Sequence, residues 1–338
     1  MFLLNEFVIT CVRTWEPTNI KQIITEVYEM ETRLATWNAV GTDVSAAKNL
    51  DDVLAASGLD YNVRQCKLYT TLSDKRIASN NAITLDWYRA NVNDKTGEIL
   101  GIVSENYQVC NNRDAFDFVN YIDSDVKFVK AGQTYNGLVY IIASLPEMKI
   151  LGDSYQPYVI FQNGHNGGIS LKAAISPLRI VCQNQFSMAF KNAENTISIR
   201  HNSSMQDKMA EARRVLSGTA AYMKELTADA ESYASMKLDA NGVSRFLDDL
   251  FPITGEMTNK KVERMMVNRD KFMQAYLADD NSNFQNSVWG LINAGADYYT
   301  HENPIRKTKN FEENHFMAVT FDPRMLNRLV QLATARVL

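Results

Sequence analysis

The stretch Tyr158–Leu216, YVIFQNGHNGGISLKAAISPLRIVCQNQFSMAFKNAENTISIRHNSSMQDKMAEARRVL, carries the change of period on which the fold reading turns. Its first half holds β-branched and aromatic runs (YVIFQN, ISLKAAI, RIVCQN) bounded by turn residues, the pattern of strands. From Ser204-x-x-Asp207, a capping-box-like start, Met205, Met209, Ala212, Leu216, Ala220 and Met223 recur every three or four residues. That spacing predicts a helix extending to about Met236. A sheet handing over directly to a long helix is the expected centre of the protein.

Working outward toward the N-terminus, TLDWYRANV (Thr84–Val92) and EILGIVSENYQVC (Glu98–Cys110) flank the polar turn Asn93–Gly97, which predicts an antiparallel hairpin. RDAFDFVNYI (Arg113–Ile122) places Phe116, Val119 and Tyr121/Ile122 on a helical face, and VKFVKAG and GLVYIIASL add strands. Further back, Leu50, Val53 and Leu54 mark a short helix ending at Gly58, and Pro17 opens a helical run. Beyond the long helix, Asp239–Gly242 interrupts the pattern. Then come a charged helix with Lys260, Lys261, Arg264, Arg269 and Lys271, an apolar helix at SVWGLINAGADYYTH, a basic loop Glu302–Asn314 and a last helix from Pro323. The expected class is α+β: an antiparallel sheet core with helices packed on one side and a long helix following the sheet. The expected divisions are an N-terminal segment with helices (1–60), an α+β core (61–238) and a helical C-terminal region (239–338).

A chain of 338 residues with 46% hydrophobic residues can bury a sizeable core. Its apolar start, MFLLNEFVITCV, is short and interrupted by Glu6, which argues against a signal peptide or membrane anchor. Cys11, Cys66, Cys110 and Cys182 are scattered and show no CxxC pair, so reduced thiols in a cytoplasmic protein are expected. The net charge is −4, yet the opening stretch carries Lys172, Arg179, Lys191, Arg200, Lys208, Arg213 and Arg214 against Glu194, Asp207 and Glu211. A local cationic excess in an acidic chain points to one face for an anionic partner, or to a solvated helix face with strand-end charges.

Neither GxxxxGK[ST], GxGxxG nor GxSxG occurs, and His165, His201, His301 and His315 lack metal-ligand spacing. No cofactor or metal is expected from motifs, although His165, His201, Cys182 and an acid assembling in space is the one metal arrangement left open. The cluster Gly164–Gly168 reads as a hairpin turn, with a phosphate-contacting turn as the alternative. Tyr107, Tyr135, Tyr140, Tyr155, Tyr158 and Phe161 interleave with Lys127, Lys130, Lys172 and Arg179, as a single-strand stacking platform requires. Aromatics alternating in strands more commonly face a core.

The blocks TWNAVGTDV (Thr36–Val44), LDDVLAASGLDYNV (Leu50–Val63), ILGIVSENYQVCNNRDAFDFV (Ile99–Val119), PLRIVCQNQFSMAF (Pro177–Phe190) and ISIRHNSSMQDKMAEARRVL (Ile197–Leu216) resemble the bacterial phage/plasmid-like protein family, a domain of unknown function of the DUF932 type. The resemblance covers about residues 35–300 and implies a role in the DNA metabolism of a phage or mobile element. Architecturally, a helix-supported antiparallel sheet with a basic surface is similar to phage single-strand annealing proteins, which form rings or filaments.

The resulting expectation is a protein that binds single-stranded DNA, with duplex DNA as the other form, and promotes annealing or recombination without hydrolysing nucleotide. Lys130, Lys172, Arg179, Lys191, Arg200, His201 and Arg213 are the expected phosphate contacts. His201 has a second reading, a hydrogen bond to a neighbouring carbonyl, with Ser203 or Ser204 capping the helix. A homo-oligomer is expected from the Met205, Met209, Leu216 and Met223 stripe and the segment Phe2–Val12. Two other classes stay open: an anti-defence or host-takeover interaction protein, and a metal-dependent nuclease.

Overall fold

The computed structural model describes residues 36–71, 82–122, 125–179, 184–185, 196–205, 207, 209, 219–302, 308–321 and 324–336. Ala35–Leu338 form one compact unit. The expected helix from Pro17, the segment Phe2–Val12, Cys182, Lys191 and Arg213 lie outside the described residues.

After a 3-10 turn at Thr36–Ala39 come strand β1 (Thr42–Asp43) and helix α1 (Leu50–Ser57). The expected short helix is present and ends at Gly58, with an N-cap at Asn49 that the pattern had not named. Asn49 accepts the Asp52 N–H at 2.9 Å, and Gly58 adopts φ 72°, a left-handed conformation that glycine reaches without a Cβ clash. Strands β2 (Val63–Thr71), β3 (Ala82–Asn93) and β4 (Ile99–Ser104) form a three-stranded antiparallel sheet. The β3–β4 turn is the expected one: Asn93 Oδ1 accepts from the Lys95 and Thr96 N–H groups at 2.9 and 3.2 Å. β4 ends at Ser104, six residues earlier than its apolar pattern suggested, because residues 105–111 leave the sheet as a loop.

Helix α2 (Asn112–Phe116), continued by a 3-10 turn at Asp117–Tyr121, buries Phe116, Phe118 and Val119. The main sheet follows: β5 (Lys127–Gln133), β6 (Leu138–Ser144), β7 (Met148–Ile150), β8 (Asp153–Gly164), β9 (Leu171–Arg179), β10 (Asn184–Gln185) and β11 (Thr196–Ile199). Its order is β1-β5-β6-β8-β9-β10, with β7 beside β8 and β11 beside β9, and every pairing is antiparallel.

Alternation along β6 shows how the strands divide between two faces. Val139 and Ile141 join the main core, whereas Leu138, Tyr140 and Ile142 join a smaller cluster with Val40, Ile160, Leu178 and Phe316. The helices supply most of their apolar side chains to the first cluster: α3 (Thr219–Ser235), α4 (Ala240–Leu250), α5 (Asn259–Leu277), α6 (Val288–Asp297) and α8 (Arg324–Thr334). Between α6 and α8 lies α7 (Phe311–Phe321), whose Phe316 ring packs 4.9 Å from the Tyr140 ring on the second face. This is the α+β architecture expected, with a helix following the sheet. Asp239 does more than interrupt the pattern, since it caps α4 by accepting the Gly242 N–H at 2.7 Å.

The Met stripe takes a different role from the one expected. Met205, Met209 and Met223 are buried in the main core, so their apolar surface is spent inside the chain and is not offered to a second copy. Nor do most of the interleaved aromatics form a platform: Tyr107, Tyr140, Tyr155 and Phe161 are buried, as alternating strand aromatics over a covered face should be.

Gly101 in β4 lies against the turn that follows β8. A Cβ there would overlap the Asn166 backbone and press on the His165 carbonyl oxygen, whereas one at Gly255 meets nothing. Gly101→Ala should therefore destabilise the protein by about 1–3 kcal/mol through overpacking, and Gly255→Ala by much less, in paired denaturant titrations.

Candidate functional site

Three segments far apart in the chain meet where the two sheets join: the loop 105–111 leading into α2, the turn 164–168 after β8, and the step Arg200–Asn202 after β11. Each arrives with main-chain carbonyls that have left their ladders, and buried polar groups of this kind require partners. Side chains provide them. Tyr107 donates its hydroxyl to Gly164 O at 2.8 Å, and Asn91 of β3 donates Nδ2–H to His165 O at 2.7 Å. Asn163 donates to Cys110 O at 2.9 Å, and Asn112 donates to Leu59 O at 3.0 Å. The Asn112 Oδ1 then faces His165 Nε2 at 2.9 Å. His201 Nδ1 lies 3.2 Å from Gln108 O, and the Gln108 N–H returns to His201 O at 3.2 Å. The Tyr107 ring stacks on His201 with centroids 4.9 Å apart, and Tyr61 meets His165 edge-on at 6.0 Å.

The electrostatics follow from burial. Desolvation, with a further contribution from His201, pulls the His165 pKa down to about 4. Desolvation also lowers the His201 pKa, opposed by its bond to Gln108. Both rings are neutral at pH 7. The Cys110 thiol is pushed up to about 12 by burial and then by Asp114, which keeps it protonated. Tyr107 is likewise raised by burial. The centre is thus uncharged and packed. Among the described residues, no group of three or more His, Cys, Asp or Glu side chains is placed to hold a metal ion.

The expected phosphate contacts do not gather in one place. Lys172, half-buried on β9, stands opposite Ser198 of β11, and the exposed Arg200 follows two residues later on the same alternation. Lys130 is on the other edge of the main sheet, opposite Asp43 of β1. Arg179 ends β9 in register with Tyr155 and Asn184. His201 is only 8% exposed, and its one N–H is directed to the Gln108 carbonyl, the second of its two readings. Asn202, rather than Ser203 or Ser204, supports the turn into the following helix, because its Oδ1 accepts the Ser204 N–H at 3.2 Å and hydroxyl at 2.9 Å.

A second surface escaped the sequence reading. The three-stranded sheet packs one face on the 164–168 turn, through Asn91, Gly101 and Val103, and leaves much of the remainder open. Trp87 is 75% exposed, Tyr69 59% and Tyr88 51%, beside Ile99 and Ile102 at 62% and 60%. The strands β2 to β4 carry Arg64, Lys67 and Arg89 against one acid, Asp86. A signal was present: adjacent Trp87 and Tyr88 point to opposite faces of a strand, so both are buried only if both faces are covered.

The family described as "Domain of unknown function (DUF932)" matches residues 99–318. The chain belongs to the DUF932 family. No curated protein and no solved structure matches it. The DUF932 match contains Tyr107, Asn112, Asn163, His165 and His201, so the buried centre lies within the matched region, whereas Asn91, Trp87 and strands β2 and β3 precede it. No helix of the described residues is long and apolar enough to cross a membrane.

The His165 shift has a pH signature. With a pKa of 6.5 in the unfolded chain and about 4 in the folded one, the unfolded state takes up the proton first on acidification. The stabilisation is complete above pH 6.5 and is lost as pH falls to about 4. Denaturant titrations should show a loss on the order of 3 kcal/mol across that window in the parent, beyond the loss in His165→Gln. Parallel pH profiles for the two proteins would show that the ring does not titrate this way.

Proposed function

We propose that this DUF932 protein binds single-stranded DNA of a phage or mobile element in the cytoplasm of a bacterial host, holding strands for pairing without breaking bonds in them. The observation that carries this reading is the open three-stranded sheet, where exposed Trp87 shares one face with Lys67 and Arg89, and exposed Tyr88 shares the opposite face with Arg64. Aromatic faces accept any base by stacking, and cations along the strands neutralise the phosphates between them. Lys172 and Arg200, on the edge of the main sheet, add a second pair of cations from the region whose charge excess first suggested an anionic partner.

The test is fluorescence anisotropy with a labelled oligonucleotide at several salt concentrations, single-stranded and duplex. Trp87→Ala should weaken single-strand binding by about 1–3 kcal/mol, the range for loss of one stacked base. Arg64→Ala, Lys67→Ala, Lys172→Ala and Arg200→Ala should each reduce the salt slope by about 0.7 where the residue meets phosphate. Equal affinity and slope in all five variants would remove both surfaces. Strand cleavage on adding Mg²⁺ would replace the reading with the nuclease one, and absence of any DNA binding would favour a protein-interaction role.

The aliphatic members of the same sheet favour an accompanying reading, a homo-oligomer. Ile83, Leu85, Ile99 and Ile102 are exposed, and among the described residues β2 and β4 each pair on one side only. Unpaired edges with apolar faces are templates for another chain. Light scattering should show a species larger than 38.3 kDa that shrinks in an Ile99→Lys, Ile102→Lys variant; a concentration-independent monomer in the parent would overturn it.

A further inference from the structure

Proton accounting around His165 and His201 leaves two buried lone pairs, which can take a metal ion or a hydrogen-bond donor but not an anion. Asn112 Nδ2 donates to Leu59 O, which orients the amide so that Oδ1 is the atom facing His165. That oxygen only accepts, so His165 Nε2 carries the hydrogen and Nδ1 carries a bare lone pair. Gln108 O likewise only accepts, so His201 Nδ1 carries the hydrogen and Nε2 is bare. Both bare nitrogens are buried and have no hydrogen-bond partner among the described residues, in side chains 2% and 8% exposed. The two rings belong to one neighbourhood: Tyr107 stacks on His201 while its hydroxyl reaches Gly164, the residue before His165, and His201 acts electrostatically on His165.

Buried donors and acceptors are rarely left unmatched, and here the mismatch has one sign. An anion is excluded, because neither free nitrogen offers a hydrogen. Imidazole nitrogen is a borderline-soft ligand suited to zinc, nickel and copper. Tying the outer ring nitrogen to a carbonyl oxygen is also the way proteins fix the tautomer and orientation of a metal-ligating histidine. Both rings here are tied in that way.

We propose that His165 Nδ1 and His201 Nε2 are two ligands of a divalent transition-metal ion of the zinc class. Since no third His, Cys, Asp or Glu among the described residues completes the set, oxygen ligands from solvent or a bound molecule take the remaining positions. The proposal is independent of DNA binding. It gives one role to the turn 164–168 and to the step Arg200–Asn202: each delivers one imidazole to the place where the sheets join.

The test uses tag-free full-length protein, stripped with chelator and then equilibrated with Zn²⁺, Ni²⁺ or Co²⁺ and dialysed. The expected result is one ion per chain by elemental analysis, with a Co²⁺ visible spectrum showing nitrogen coordination. Uptake should be lost in His165→Gln and in His201→Gln but kept in His315→Gln. Because either variant could unfold, ¹⁵N spectra of the parent's histidine rings give a second measurement. Without metal, His165 should be the Nε2–H tautomer and His201 the Nδ1–H tautomer, and Zn²⁺ should shift only the two bare nitrogens. No ion retained by the parent, with the bare nitrogens unmoved by Zn²⁺, would overturn the proposal and leave an internal water as their partner. Uptake unchanged in both folded variants would overturn it as well.

Discussion

The structure depends on satisfying main-chain carbonyls at the places where strands have ended. Gly164, His165, Cys110, Gln108 and Leu59 present oxygens near the junction of the two sheets, at strand ends and in the loops that follow them. Tyr107, Asn91, Asn163, His201 and Asn112 donate to those five oxygens. An unmet buried carbonyl costs on the order of 1–3 kcal/mol, so losing several of these donors together would remove much of a domain's net stability. Short side chains with fixed donor geometry suit this task, since little rotamer freedom is lost in holding them.

This bracing decides how the second sheet is presented. Asn91 and Gly101 hold β3 and β4 against the 164–168 turn, with Gly101 chosen by the closeness of the Asn166 backbone. One face is thereby committed to the junction, and the opposite one is left to solvent with Tyr88, Ile99 and Ile102 on it. The centre itself is neutral and rich in acceptors, whereas the cations sit at strand edges and on the open sheet. The imidazoles are thus buried while the cations around them face solvent, Arg200 directly before His201 in the chain.

Local signals were legible where the physics is local. Gly58 ends α1 because a left-handed residue is needed within a position or two of the helix end, whatever surrounds it. Asn93–Gly97 closes its hairpin for the same reason. Signals with two physical meanings were not resolved by pattern. A methionine stripe fits both a core and an interface, and Met205, Met209 and Met223 proved to be core. His201 fits both a phosphate contact and a carbonyl bond, and only the position of Gln108 distinguishes them. Trp87 and Tyr88 carried an exposure signal in their adjacency, but which strand faces are covered depends on neighbours far away in the chain.

The amino-acid sequence by itself determined the α+β class, the hairpin, the short helix ending at Gly58 and the passage from sheet to helix. These follow from side-chain period and backbone preference acting over a few residues. Its quoted blocks also carried the family resemblance. Only the tertiary structure decided that GHNGG, ENYQVCNN and RHN, separated by dozens of residues, form one buried polar centre, and that the aromatic surface lies on the three-stranded sheet and not on the main one. Hydrogen bonds such as Tyr107 to Gly164 and Asn91 to His165 span 57 and 74 positions of chain. No local pattern encodes which carbonyl will be left without a ladder partner; that is set when the two sheets pack and exclude water from the space between them.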